Sequence, residues 1–327
     1  MGFDEAWIGE HYLLPWENMP APDLFISRAL GVTEQIAFGT GIALLHFHNP
    51  ILLAHRIAML DHLARGRLYF GIGSGGSPSD LQMFGIDTEV GSPGERMREA
   101  IDLILQLWEK GPFEYHGKFF DMGEPDPAPG VGFHMRPYQQ PHPPIAVAGG
   151  SPRSQTLVLA GERGWWPLSS SLMHSSHIGL NWESVLAGAA KTGREPSRNQ
   201  WRIGREVYVA ESSKKAREDV LNGAMSRDFV EYWLKFIGGG PRGLDLFKYD
   251  PDIPDDALTP EYMLDNYWIV GDPDECAEKI EKLYADSGGF GTLLVQTNDW
   301  GKDTKKWYRS MELLATEVMP AVQHLAP

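Results

Sequence analysis

The sequence predicts a parallel α/β fold, a (β/α)8 barrel short of one strand, and two observations carry that prediction. Apolar runs of about four to eight residues alternate with amphipathic stretches, the rhythm of strand and helix units. No short repeat or long linker interrupts them, so the 327 residues read as one domain, 1–327, a length that a single barrel of about 250 residues or more accommodates. Seven runs qualify as strands: residues 6–9, 36–45, 68–72, 145–148, 165–168, 203–210 and 291–296. An eighth is expected ahead of them. GFDEAWIGEH reads as the end of a helix running into a strand, so the first strand and most of the first helix would precede it.

The helices between these strands announce themselves by their ends. Ser92 and Glu95 have the spacing of a capping box, Pro93 sits at the first helical position, and Ile101, Ile104, Leu105 and Trp108 share one apolar face. Gly111-Pro112 stops that helix. Further helices are expected over residues 50–64, 154–162, 182–192, 213–225, 273–286 and 304–322. Two stretches keep no such rhythm. Residues 113–144, rich in Pro, Gly and His, and 236–262, with GGGPRG and DPDIPDD, read as insertions. Long loops of this kind serve as lids or binding segments, and 236–262 is the candidate lid.

Composition removes several classes of function. The 36 Gly and 24 Pro stay below the share that marks low complexity. No apolar run approaches the roughly 18 residues of a membrane span, and no basic segment precedes a hydrophobic stretch at the start. A cytoplasmic protein is expected, and the single cysteine, Cys276, suits a reducing compartment. The net charge of −15 repels a phosphate backbone, so neither nucleic acid nor an anionic membrane is expected as a partner. An anionic cofactor held by backbone N–H groups remains compatible with that charge.

Four constellations carry chemistry. Glu10-His11-Tyr12 follows the strand 6–9, where a barrel displays catalytic groups, and histidine is suited to proton transfer. His46-Phe47-His48 follows the strand 36–45 and has the spacing of a metal pair. The other strand ends offer no His, Lys or paired Asp to complete a metal site, so none is expected. Gly71-Ile72-Gly73-Ser74-Gly75-Gly76 has the glycine spacing of a dinucleotide fingerprint but runs into Pro78 instead of a long helix, which argues against a Rossmann domain. Gly149-Gly150-Ser151-Pro152-Arg153-Ser154 joins a strand to a helix with free N–H groups, two hydroxyls and one guanidinium, the donors that a phosphate needs. Phe47, Trp165 and Trp166 are candidate walls for an apolar substrate.

The ordered blocks GFDEAWIGEHY, IAFGTGIALLHFHNP, LDHLARGRLYFGIGSG, ERMREAIDLILQLW, IAVAGGSPRS, GDPDECAEKI and MELLATEVMPAV resemble the bacterial luciferase-like, flavin-dependent monooxygenase family, nearest its limonene-monooxygenase-like branch. The resemblance implies a luciferase-like (β/α)8 TIM barrel that binds reduced FMN at the C-terminal ends of its strands. It implies that O2 attacks the flavin to give a C4a-hydroperoxide, which oxygenates a small apolar substrate, with a separate flavin reductase supplying FMNH2. A homodimer is the implied assembly. His11 matches the first His of the family's EHH motif, the general acid/base beside the flavin, with Glu10 among the cofactor-binding positions. Gly41-Ile42 matches a non-prolyl cis peptide beside the isoalloxazine ring, and Gly150, Ser151 and Ser154 match donors to the flavin phosphate. Ser74 stands where luciferase has an arginine, which shifts weight to Arg153, and Tyr12 replaces the second His. Two alternatives share the fold: an oxidoreductase using the deazaflavin F420, and a non-catalytic flavin-binding subunit.

Overall fold

The structure, a computed structural model, describes residues 1–14, 16–123, 126, 135–240 and 243–325. Parts of both expected insertions, residues 124, 125, 127–134 and 241–242, lie outside the described residues. The chain divides into two compact units, residues 3–148 and residues 149–327 with Met1–Gly2.

The unit 3–148 is built on parallel strands. β1 (Glu5–Ile8) pairs with β2 (Ala37–Thr40), Ala6 opposite Phe38, and β2 pairs with β4 (Leu68–Gly73), Phe38 opposite Leu68. β3 (Ala43–Leu44) pairs with the end of β4, and β4 pairs with β7 (Ile145–Gly149), Phe70 opposite Ile145. The single strand expected over 36–45 is therefore two. The break falls at Gly41-Ile42, whose peptide bond is cis, and Gly41 donates its N–H to Ile8 O at 2.7 Å. Close neighbours account for the glycines here: a Cβ on Gly39 would enter the Trp7 indole, and a Cβ on Gly71 would collide with the Thr40 carbonyl oxygen and lie 2.8 Å from Trp7 Cζ3.

The helices of this unit are α1 (Pro22–Leu30), α2 (Pro50–Ala64), α3 (Pro78–Met83) and α4 (Pro93–Lys110). α2 starts where Asn49 accepts from Ile51 N and Leu52 N, with Pro50 at its first position. α4 carries the full capping box of Ser92 and Glu95 and buries Met97, Ile101, Ile104 and Trp108. Both bounds match the sequence expectation. α1 was not foreseen, since Ala21 provides no side-chain cap. A short antiparallel pair, β5 (Tyr115–His116) with β6 (Asp121–Met122), occupies part of the first insertion.

In the unit 149–327 the organising strand is β9 (Arg202–Val209), buried at every residue. It pairs in parallel with β8 (Trp166–Ser169), with β11 (Thr292–Gln296) along its first five residues, and with β10 (Ile269–Gly271) along its last three. Around it run α5 (Gln155–Arg163), α6 (Ser175–Thr192), α7 (Ser213–Leu221), α8 (Ala224–Asp228), α9 (Leu234–Gly238), α10 (Pro260–Asn266), α11 (Pro273–Ser287), α12 (Thr304–Leu313) and α13 (Met319–Val322). α6 begins seven residues before the sequence placed it, because the His174 side chain caps it by accepting from Ser176 N. The helix expected over 213–225 is interrupted at Gly223, and the one over 304–322 passes through a π turn at Leu314–Val318. The segment 243–262 is folded, with Phe247 buried and His174 N–H donating to Leu246 O at 2.7 Å.

α5 and α6 cross so closely that a Cβ on Gly161 would meet Val185 O and one on Gly188 would meet Val158 O. Neither backbone can give way, so Gly161→Ala and Gly188→Ala should each destabilise by about 1–3 kcal/mol in urea unfolding. Gly123→Ala, where nothing lies within 4 Å, should be nearly neutral, and equal losses at all three positions would refute the close-crossing account.

Candidate active site

The end of β1 delivers Glu10 and His11 in succession, and the two side chains part. Glu10 is buried, and both carboxylate oxygens are occupied: Tyr12 hydroxyl donates to Oε1 at 2.6 Å, Leu44 N–H to Oε2 at 2.7 Å, and His48 Nε2 lies 2.8 Å from Oε1. Burial alone would raise this carboxyl's pKa; the hydrogen bond and charge of His48, with the Leu44 and Tyr12 bonds, outweigh it and hold Glu10 below the usual carboxylate range. The same pairing works in reverse on Tyr12, whose phenol is pushed up by burial and then by the Glu10 bond.

His11 turns away from this cluster. Its side chain is about one-third exposed, with Nε2 3.4 Å from Glu17 Oε1, and its N–H donates to Met19 O at 2.9 Å. Gly9 makes room for it, since a Cβ there would stand 3.0 Å from His11 Nε2. The two histidines that have the spacing of a metal pair have different surroundings: His48 is held by Glu10, whereas His46 is fully buried and neither ring nitrogen has a hydrogen-bond partner among the described residues. Burial, then the nearby Arg96, lowers the His46 pKa to about 4, so it is neutral at pH 7. Phe47 stacks on Phe84 at 4.6 Å, and Phe84 tilts against Tyr12 at 4.7 Å. Ser74 follows β4 and is half-buried beside Gly94 in the first turn of α4.

The turn from β7 into α5 lies in the other unit. Gly150 faces open space, Ser151 is half-buried, and Ser154 is buried at the N-cap of α5. Ser77, Ser92, Ser212, Thr259 and Asp272 all cap their helices by side-chain hydrogen bonds, but Ser154 does not; its hydroxyl pairs with Thr156 Oγ1 at 2.8 Å. The first amides of α5 are thus without a side-chain cap, the arrangement that receives an anion. Arg153 takes a positive φ of 50° and pairs with Glu183 at 3.0 Å on the exposed surface. Such a pair holds weakly in water. The sequence reading did not foresee His48 and Leu44 as partners of Glu10, because nothing in the chain order joins residues 34 and 38 apart. Among the described residues no group of three metal-ligating side chains converges and no helix is long and apolar enough to cross a membrane.

Comparison with known proteins assigns the family. Residues 1–290 match the family model of the luciferase-like monooxygenases. The 3,6-diketocamphane 1,6-monooxygenase of Pseudomonas putida is 31% identical over 98% of this chain and 89% of its own length, and the limonene 1,2-monooxygenase of Rhodococcus erythropolis is 30% identical over 98% and 78%. Among solved structures, the oxygenating constituent of 3,6-diketocamphane monooxygenase from Pseudomonas putida, a type II Baeyer-Villiger monooxygenase in complex with FMN, superposes with a TM-score of 0.90 at 31% identity, covering 100% of this chain and 90% of that one. The chain belongs to the luciferase-like monooxygenase family: its fold is the TIM-barrel-type α/β fold of that family and its class is monooxygenase.

The Glu10 network has a pH signature. A carboxylate held below its ordinary pKa of about 4.3 contributes stability above that pH and loses it as the pH falls through the lower folded-state value. Glu10→Gln should therefore cost about 1–3 kcal/mol in urea unfolding at pH 7, with the gap from the wild type narrowing as the pH falls below about 4. A gap independent of pH would show that the carboxylate's ionisation adds nothing.

Proposed function

We propose that this chain is the oxygenating component of a two-component monooxygenase, using reduced FMN and O2 to oxygenate a small apolar ketone. The observation that supports this most is the likeness along the whole chain to an oxygenating constituent seen with FMN. When bound, reduced FMN supplies the electrons that activate O2. The residues fit such a group: the side-chain-free N-terminus of α5, with Gly150, Ser151 and Ser154, suits the phosphate, and Arg153 can exchange its exposed pairing with Glu183 for the anion. Gly41 and Ile42 are the positions that the resemblance assigns to the flavin ring, and Ser74 is a further hydroxyl donor that it implies.

His11 is the group that holds or releases a proton in this reading, with the half-buried Glu17 carboxylate 3.4 Å from its Nε2. Glu10 acts differently from the role the resemblance implies. Its carboxylate is committed to Tyr12, Leu44 and His48, so it supports the strand end that presents His11 and leaves the cofactor to others. The glycine-rich segment after β4 leads into the six-residue α3, which supports a separate reductase, because a nicotinamide site of the Rossmann kind needs a long helix there. A homodimer and a cytoplasmic location complete the proposal.

The test is oxygenation under 18O2 with reduced FMN and a bicyclic ketone such as norcamphor. One labelled oxygen in the product supports the reading; label-free product or saturable binding of F420 in place of FMN overturns it. His11→Ala should lower turnover by about 10²-fold or more while leaving the affinity for FMN unchanged. A parallel fall in both would make His11 a structural residue.

A further inference from the structure

β9 carries two adjacent charged residues inside a fully buried strand, Arg205 and Glu206, and the oxygenase reading uses neither. Successive side chains of a strand point to opposite faces. On its side Arg205 Nη1 donates to Met173 O at 2.8 Å and the guanidinium lies over the Tyr267 ring at 4.7 Å, while Nη2 is buried without a hydrogen-bond partner among the described residues. Glu206 shares its face with Gly204, which has no side chain, and Tyr208, whose hydroxyl is committed to Asp219 Oδ2 at 3.1 Å. Glu206's own backbone N–H and the Ser171 hydroxyl act to lower the carboxyl's pKa. Its Oε2 is buried with no hydrogen-bond partner among the described residues, and the residue is only 7% exposed.

The level of Glu206 along the sheet is informative. It stands in register with Gln296, the last residue of β11, and beyond the end of β8, whose Ser169 pairs with Ile203. Parallel partners in register share a face, so Gln296 and Glu206 stand side by side on one face of the sheet, at the last residue of β11 and the fifth of the eight residues of β9; enzymes of this architecture place their chemistry toward the C-terminal ends of their strands. Gln296 is half-buried, and its amide N–H reaches only the adjacent Thr297 O, at 3.5 Å. Burial raises the Glu206 pKa; the Arg205 charge and the Ser171 bond offset part of that rise. A raised pKa favours the protonated form, and a protonated carboxyl is a hydrogen-bond donor that a carbonyl oxygen can accept. A polar atom left orphaned in a buried place is costly, which favours a structure in which something else completes it.

Resting on the ketone-oxygenase reading above, we propose that the Glu206 carboxyl, with the Gln296 amide beside it, donates a hydrogen bond to the carbonyl oxygen of the substrate and so selects ketones over hydrocarbons of the same shape.

The experiment measures binding without turnover, in the protein loaded with oxidised FMN, using carbonyl-labelled norcamphor and, as a shape control, norbornane. In the wild type the bound ketone's infrared carbonyl band should lie at lower wavenumber than in a hydrocarbon solvent. Glu206→Leu should return the band to its hydrocarbon position and weaken norcamphor binding about tenfold, with norbornane binding unchanged. Glu206→Gln, which keeps an N–H donor and the side chain's size, should retain a lowered band; if Glu206→Leu fails to fold, this variant together with Gln296→Leu, which should shift the band partway, carries the test. An unshifted band in the wild type, a band indifferent to these substitutions, an equal loss of norbornane affinity, or no norcamphor binding at all would overturn the assignment and leave Oε2 to a buried water. Those outcomes are separate from failure of the oxygenase reading, which the 18O2 assay decides independently.

Discussion

The arrangement at the end of β1 depends on one buried carboxylate. Glu10 binds Leu44 N–H, 34 residues away, at 2.7 Å and so ties the end of β1 to the short strand that follows the cis bond at Gly41-Ile42. His48 and Tyr12 share the other oxygen. A buried carboxylate without these partners would be expensive; with them it becomes a fixed point from which His11 projects in the opposite direction. The resulting division is simple: one residue of the pair is immobilised while the next is partly open to solvent.

The second unit uses burial differently. β9 is covered along its whole length and serves three neighbouring strands, yet includes Arg202, Arg205 and Glu206. Arg202 lies over the Trp166 ring at 3.8 Å and Arg205 over Tyr267, so the cations are accommodated by aromatic faces and carbonyls. Glu206 Oε2 and Arg205 Nη2 are both buried without a hydrogen-bond partner among the described residues, but the rest of the Arg205 guanidinium has a carbonyl and a ring face to meet it.

Much of the fold was legible because helices declare their ends. Asn49-Pro50 and the Ser92/Glu95 box set the starts of α2 and α4 to the residue. β10 was not legible, since three residues, Ile269–Gly271, are too short to show a period. The early start of α6 was hidden in the polar run Ser175-Ser176-His177, capped by a histidine instead of the usual Ser, Thr, Asp or Asn. At the candidate site the order of residues pointed to Glu10 and His11 but not to their different fates, because Tyr12, Leu44 and His48 meet only in three dimensions. Arg153 looked like a free cation in the sequence and pairs with Glu183 in the fold. Glu206 was not singled out in the sequence, because the acid sits beside Arg205 in RIGREVYV and the order of residues alone does not show that the two side chains point to opposite faces.

The central proposal is that this chain uses reduced FMN to direct one oxygen atom of O2 onto a ketone. A single-turnover measurement tests it most directly: stoichiometric protein and reduced FMN are mixed with oxygenated buffer and norcamphor, without any nicotinamide, and both lactone and hydrogen peroxide are quantified. The expected result is lactone in near-equal amount to the reduced FMN, with little peroxide. Peroxide in the yield of free flavin, with no oxygenated product from norcamphor or other apolar ketones, would contradict it.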